Sequence, residues 1–258
     1  MSYRSGSPLI TILSGEFNPS SVPGLVVDVD ASILSTMLDG SDAVVTDGTA
    51  VKTWNDISGK GHHFTQGTAN NRPVYRATAA GKPSVEFDPS SFIQLLVTAD
   101  HPDFNYSTMA MYAAVNWKTG TGTQTFFAKY QPTGNQREIQ LQINTTPAFV
   151  AVSSPDGTAT GLSSPTASDT IATGNKYVFG ARWNGTNLVV KVNNNTGTVG
   201  SASPAGIFAG TGGVCVGALE NGSQGFKGYI YRCLFYNQNP TDAQDVAIIN
   251  YLRSRYSI

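Results

Sequence analysis

Apolar and polar residues alternate in short stretches along much of this chain, the two-residue period of strands that keep one face against a core. Ser84-Val85-Glu86-Phe87-Asp88 alternates, as does part of the run from Met109 to Trp117. Glu138-Ile139-Gln140-Leu141-Gln142-Ile143-Asn144 alternates strictly and predicts a strand with one wet face and one dry face. Between Lys176 and Asn193, Tyr177, Phe179, Ala181 and Trp183 share one face, and Leu188, Val190 and Val192 share the face of a returning strand. Asn184-Gly185 between them suits the positive φ angles of a tight turn, so the segment predicts a hairpin.

One segment has the helical period instead. Thr241-Asp242-Ala243-Gln244 has the Thr-x-x-Gln form of a capping box, with Pro240 just before it. Asp245, Ile249, Leu252 and Tyr256 then fall on one helical face with Val246 beside it, and Arg253 and Arg255 suit the negative end of the helix dipole. This helix is expected to cap the strands.

Residues 1–22 read as an arm, polar except for Leu9-Ile10-Thr11-Ile12-Leu13, which can add an edge strand to this sheet or to another subunit. The body, 23–258, begins at Pro23-Gly24-Leu25-Val26 and shows no linker that would mark a second domain. Thr119 to Thr123, Ser153 to Thr173 and Asn193 to Ser203 are low in complexity and predict exposed loops. No repeat of solenoid or propeller period is present.

Composition supports many strands joined by turns. The 258 residues suffice for one large core, with 40% hydrophobic residues, yet only 13% are charged, about half the usual share of roughly 25%. The polar surface must therefore come from Gly, Ser, Thr and Asn, residues of turns and pleated edges. The formal net charge is −1 with no run of Lys or Arg, which argues against nucleic acid as a partner. A membrane partner lacks both a basic amphipathic helix and an apolar stretch near ~18 residues. Leu9 to Leu13 is shorter than the ~7–15 residues of a signal-peptide core. Cys215 and Cys233 sit in the apolar runs Val214-Cys215-Val216 and Cys233-Leu234-Phe235. Two buried thiols are the main expectation, a bridge between neighbouring strands the alternative.

Three stretches resemble the concanavalin A-like lectin/glucanase (laminin-G-like) superfamily, in the variant found in bacterial and phage proteins. The first runs from Pro23-Gly24-Leu25-Val26, with Asp28 and Asp30, through Trp54-Asn55-Asp56-Ile57-Ser58-Gly59-Lys60-Gly61-His62-His63. It continues through Asn71-Arg72-Pro73-Val74-Tyr75 to Gly81-Lys82-Pro83-Ser84-Val85-Glu86-Phe87-Asp88. The second is Trp183-Asn184-Gly185-Thr186 in the hairpin, and the third joins Phe226-Lys227-Gly228-Tyr229-Ile230 and Leu234-Phe235-Tyr236-Asn237 to the terminal helix. The resemblance implies an all-β jelly-roll sandwich of two antiparallel sheets with a short C-terminal helix. Fold does not settle function.

Glycosidases of this superfamily carry paired carboxylates in a pattern like Glu-x-Asp-x-x-Glu, about 5 Å apart in retaining enzymes. The nearest match, Glu86-Phe87-Asp88-Pro89-Ser90-Ser91, ends in Ser91 where the acid/base should stand, and Pro89 interrupts the strand. His62 and His63, being adjacent, point to opposite faces of a strand and cannot jointly hold a metal, and His101 precedes Pro102 in a predicted loop. No catalytic role is therefore assigned to any residue. The resemblance makes calcium the most plausible ion, with Asp28, Asp30, Asp56 and Asp88 as ligand candidates, though Asp56 followed by Ile57-Ser58-Gly59 equally suits a turn cap. No cofactor is required. Among the three tryptophans as sugar-stacking candidates, Trp183 and Trp54 read as core and Trp117, next to a Gly/Thr loop, is the ligand-binding candidate.

The first expectation is a non-catalytic phage virion structural protein, a capsid decoration or a tail- or fibre-associated sandwich. It would be made in the host cytoplasm, and its arm would contact other virion proteins in a homo-oligomer or larger assembly. The alternative is a carbohydrate-binding adhesion module that recognises a surface polysaccharide. A glycoside hydrolase ranks last.

Overall fold

The computed structural model describes residues 17–90, 93–193, 195–201 and 206–258, with 195–201 described as backbone. The arm's Leu9–Leu13 run lies outside them. In chain order the strands are β1 Leu25–Asp30, β2 Met37–Leu38, β3 Thr53–Trp54, β4 Phe64–Thr65, β5 Val74–Arg76, β6 Ser84–Phe87, β7 Leu96–Thr98 and β8 Met109–Trp117. They continue as β9 Gln124–Gln131, β10 Gln136–Ile143, β11 Phe149–Ser153, β12 Lys176–Trp183, β13 Asn187–Val192, β14 Asn195–Ser201, β15 Val214–Val216 and β16 Gly228–Tyr236, before helix α1, Asp242–Tyr256.

These strands form two antiparallel sheets of eight. Sheet A has the order β14-β13-β12-β8-β16-β6-β5, with β1 also on β16, and sheet B the order β11-β10-β9-β15-β7-β4-β3-β2. Neighbours distant in sequence, such as β8 with β16, make this a sandwich with crossovers between the sheets. Val27, Val85, Met111 and Val115 from sheet A meet Phe127, Leu141, Ile143 and Val216 from sheet B in the core. Phe126, Phe149, Phe179 and Tyr177 stack through it at centroid spacings of 4.6 to 5.4 Å.

The predicted hairpin is β12 and β13, with Trp183 opposite Leu188. Its turn is centred one residue later than the Asn-Gly pair suggests. Gly185 and Thr186 are the two loop residues, Gly185 alone has positive φ, at 93°, and the Asn184 Oδ1 accepts from the Thr186 and Asn187 amides. Asn184 thus acts as a side-chain cap, and Gly takes the first central position, as in a II′ turn.

β10 departs from its expected wet face. Gln140 and Gln142 are buried between strands, Gln140 opposite Ala128 and Val152, and Glu138 is fully buried at a register slip between Arg137 and Ile139. Alternation marked the strand correctly but not what lies over its second face.

Helix α1 covers part of the outer face of sheet A. Its capping box forms in both directions between Thr241 and Gln244, and Ile248, Ile249, Leu252 and Tyr256 bury against Tyr112, Tyr231, Leu234 and Tyr236. Val246, placed beside that face by its spacing, is 48% exposed. Asp245 anchors the helix, since Arg182 and Lys191 ion-pair with its carboxylate and the Tyr112 hydroxyl donates to it at 2.6 Å. Residues 17–22, read as the base of the arm, lie on the body: Pro19 and Val22 are buried, and the Tyr236 hydroxyl donates to the Pro19 carbonyl at 3.1 Å.

Cys215 on β15 and Cys233 on β16 belong to different sheets, and both are buried and unbridged. No helix among the described residues is long and apolar enough to cross a membrane.

Candidate functional site

Beyond α1, the outer face of sheet A carries a row of partly buried residues. Val74, Glu86, Tyr229, Asn116 and Lys176 stand opposite one another across β5, β6, β16, β8 and β12. Their strand neighbours Tyr75, Val85, Ile230, Val115 and Tyr177 all point into the core, so alternation turns this row to the outer face. Tyr229 is half-buried at its centre, with the Lys118 ammonium 5.6 Å from its ring centroid.

Glu86 receives hydrogen bonds from Arg76 at 2.6 Å and Lys118 at 2.9 Å. Burial alone would raise its pKa, but these two bonds and their charges outweigh it and hold the carboxyl below its usual value. Lys118 responds in the opposite sense: its bond to Glu86 raises its pKa. At the other end of the row, burial and the charge of Lys82 lower the pKa of Lys176, whose Nζ donates to the Tyr256 carbonyl at 3.2 Å.

Two shallow depressions flank the row. One, of about 370 Å³, is lined by Asn116, Gly174, Asn175, Lys176 and Tyr177 with the C-terminal Ser257 and Ile258. The other, of about 310 Å³, lies between Pro89-Ser90, Thr119 to Thr121, Gln124, Gly225 and Lys227. Asn116, Gln124, Ser90 and the threonines offer neutral donors and acceptors, and the lysines offer charge.

The residues singled out in the sequence fall in different places. Trp117 ends β8 with its ring turned inward and is 3% exposed, so it supports this face from below and offers it no surface. Its outward neighbours Asn116 and Lys118 occupy the position that was expected of it. Trp54 and Trp183 are core residues, as expected.

The four calcium candidates do not converge. Asp28 and Asp30 leave β1 toward Arg232, which binds Asp28 through both carboxylate oxygens at 2.6 and 2.7 Å and reaches Asp30 at 3.0 Å. The Tyr256 hydroxyl completes Asp30 at 2.7 Å. Burial would lower the Arg232 pKa, but the Asp28 bonds and charge overcome it and raise it, so a fixed cation already fills that pair. Asp56 caps its turn: its oxygens accept from the amides of Asp28, Ser58, Gly61 and His62. Asp88 holds the Ser90 amide and pairs with Lys227 at 3.2 Å.

One constellation was missed from sequence. His62 and His63 lie just before β4 and not on a strand, and His62 meets His101 and Asp103, which arrive from the loop before β8. The signal lay in the tertiary fold, not in the spacing of the three residues.

The fold and this face define an antiparallel β-sandwich with a partly buried polar and aromatic strip. No protein-family model and no curated protein sequence matches the chain. Solved structures do. The binding domain of botulinum neurotoxin DC in complex with SialylT superposes with a TM-score of 0.61 at 8% identity, over 91% of this chain and 52% of that one. A GH54 α-L-arabinofuranosidase soaked with a cyclic sulfate inhibitor gives 0.63 at 12% identity, over 90% and 63%. Domain 4 of AbnA, a GH43 extracellular arabinanase from Geobacillus stearothermophilus, in complex with arabinotriose gives 0.56 at 16% identity, over 88% and 98%. The chain therefore spans about half of the toxin binding domain and most of the arabinanase domain. At these identities the likeness establishes the β-sandwich fold.

Proposed function

We propose that this chain is a carbohydrate-binding module that holds a glycan on the outer face of sheet A, along the row through Tyr229. The observation that carries the reading is that row: a half-buried aromatic ring among amide, carboxylate and ammonium groups fixed by five adjacent strands. Sugars offer hydroxyls to such groups and C–H faces to such rings, and a rigid sheet presents them with little entropy left to lose. The neighbours support it, since domain 4 of the arabinanase is bound to arabinotriose and the toxin domain to SialylT.

The face carries Arg76, Lys118, Lys176 and Lys227 against Glu86 and Asp88, four positive charges to two negative. That excess favours acidic glycans over neutral ones. The reading is one of binding and not turnover: Glu86 is kept ionised by Arg76 and Lys118, and the position of a partner acid holds Ser91. It needs no calcium. The arabinanase and toxin domains support this reading more than they support the virion role expected from the sequence.

Calorimetry and an array of neutral and acidic oligosaccharides test it. Binding to an acidic glycan should weaken at least about tenfold, or 1.4 kcal/mol, in Tyr229→Ala and in Asn116→Ala, with melting temperatures close to wild type. Wild-type affinity in both variants, or no glycan bound on the array, overturns it.

A further inference from the structure

We propose that His62, His101 and Asp103 form a binding site for a divalent first-row transition ion of the zinc class, open at its fourth position. The three side chains place one ligand atom each within 4.8 Å of the others. Asp103 Oδ2 lies 3.0 Å from His62 Nε2 and 3.5 Å from His101 Nδ1. A tetrahedral zinc with bonds of about 2.0–2.1 Å separates its ligands by roughly 3.3 Å, midway between those two distances. An ion can therefore sit among the three ligand atoms once the His101 ring turns away from the Asp103 amide.

The chemistry of the donors selects the ion. Two imidazoles and one carboxylate suit zinc, cobalt, nickel or copper, whereas calcium takes six to eight oxygens. The frame around the site is firm on one side and open on the other. His62 is 6% exposed, its ring lies 4.5 Å from Phe104, and Phe104 stacks on Phe235 at 5.6 Å. The Asp56 carboxylate holds the His62 amide, and the Asp103 carbonyl accepts from Asn237 at 3.0 Å, so two of the three ligands are fixed through their backbones. The His101 side chain is 51% exposed. Its Nδ1 accepts from the Asp103 amide at 3.1 Å, and rotation of this exposed ring exchanges that bond for the metal. The remaining position faces solvent on the His101 side, where water or an external donor completes the shell.

The site is independent of the glycan face, and its test reads metal directly. The untagged full chain, stripped with chelator, is titrated with Zn2+, Co2+ and Ca2+ by calorimetry, and the cobalt complex is followed by visible absorption. One equivalent of Zn2+ should bind and raise the melting temperature, and Co2+ should show the intense bands of a tetrahedral site. Affinity should fall at least roughly tenfold in His101→Ala and in Asp103→Asn. Both changes touch partly exposed side chains, and the fold of each variant is checked by circular dichroism. His63→Ala should bind as wild type. No binding at about millimolar Zn2+, equal affinity for Ca2+, or unchanged affinity in His101→Ala and Asp103→Asn overturns the proposal.

Discussion

Lys129 and Glu138 place two opposite charges where the sandwich is dry, both at 0% exposure. Lys129 donates to the Glu138 carboxylate and to the Gly210 carbonyl, and Asp100 lies 3.0 Å from the same ammonium. The Tyr106 hydroxyl and the Gly210 amide complete Glu138. Burial nevertheless wins over these partners and pushes the Glu138 pKa up to about 7. A folded pKa above the unfolded one means that protonated Glu138 stabilises the fold. That stability is whole below about pH 4.5 and is lost as pH rises through about 7. At about 1.4 kcal/mol per pH unit the loss is on the order of 3 kcal/mol. Urea denaturation from pH 4.5 to 8 should show this decline in wild type and a flatter profile in Glu138→Gln. Parallel profiles would place the titration elsewhere. Alternation assigned Glu138 to a wet face because sequence period records the pleat and not Tyr106 and Gly210, which reach the carboxylate from distant segments.

Helix α1 shows which part of an element a sequence can announce. Its start was legible because Thr241 and Gln244 cap it locally, and its buried face because Asp245, Ile249, Leu252 and Tyr256 recur at helical spacing. The ion pairs that tie Asp245 to Arg182 and Lys191 were not legible, since those partners lie 63 and 54 residues away on β12 and β13. Burial predicts how substitutions divide. Ile249→Ala and Leu252→Ala remove side chains no more than 1% exposed and should each cost about 2–4 kcal/mol. Val246→Ala removes one that is 48% exposed and should cost under about 0.5 kcal/mol. Chemical denaturation of the three variants checks this; equal costs would mean that α1 does not pack on Tyr112 and Tyr231 as described.

Across the whole molecule, individual strands were readable from periodicity because each leaves a local mark in the chain, whereas their arrangement in two sheets was implied by the resemblance to concanavalin A-like domains. The row through Val74, Glu86, Tyr229, Asn116 and Lys176 leaves none: it gathers one residue from each of five strands between Val74 and Tyr229, far apart in sequence. Trp117 drew attention as a large aromatic beside a loop, yet strand alternation gives its two neighbours to the surface and the ring to the core. The same logic moves the edge of the body. Val22 is 2% exposed in the cluster under α1, Phe17 packs on Tyr251 at a centroid spacing of 5.7 Å, and Tyr236 depends on the Pro19 carbonyl for its hydrogen bond. Two truncations separate these contacts from the arm. A chain starting at residue 23 should be less stable than one starting at residue 17 by about 2–4 kcal/mol. That sums a buried Val, a half-buried Phe and a buried hydroxyl left without its acceptor, reduced for partial relaxation. In a domain of this size the difference lowers the melting temperature by several degrees, and scanning calorimetry of the pair measures it directly. Equal melting temperatures would return residues 17–22 to the arm and set the start of the folded body at Pro23.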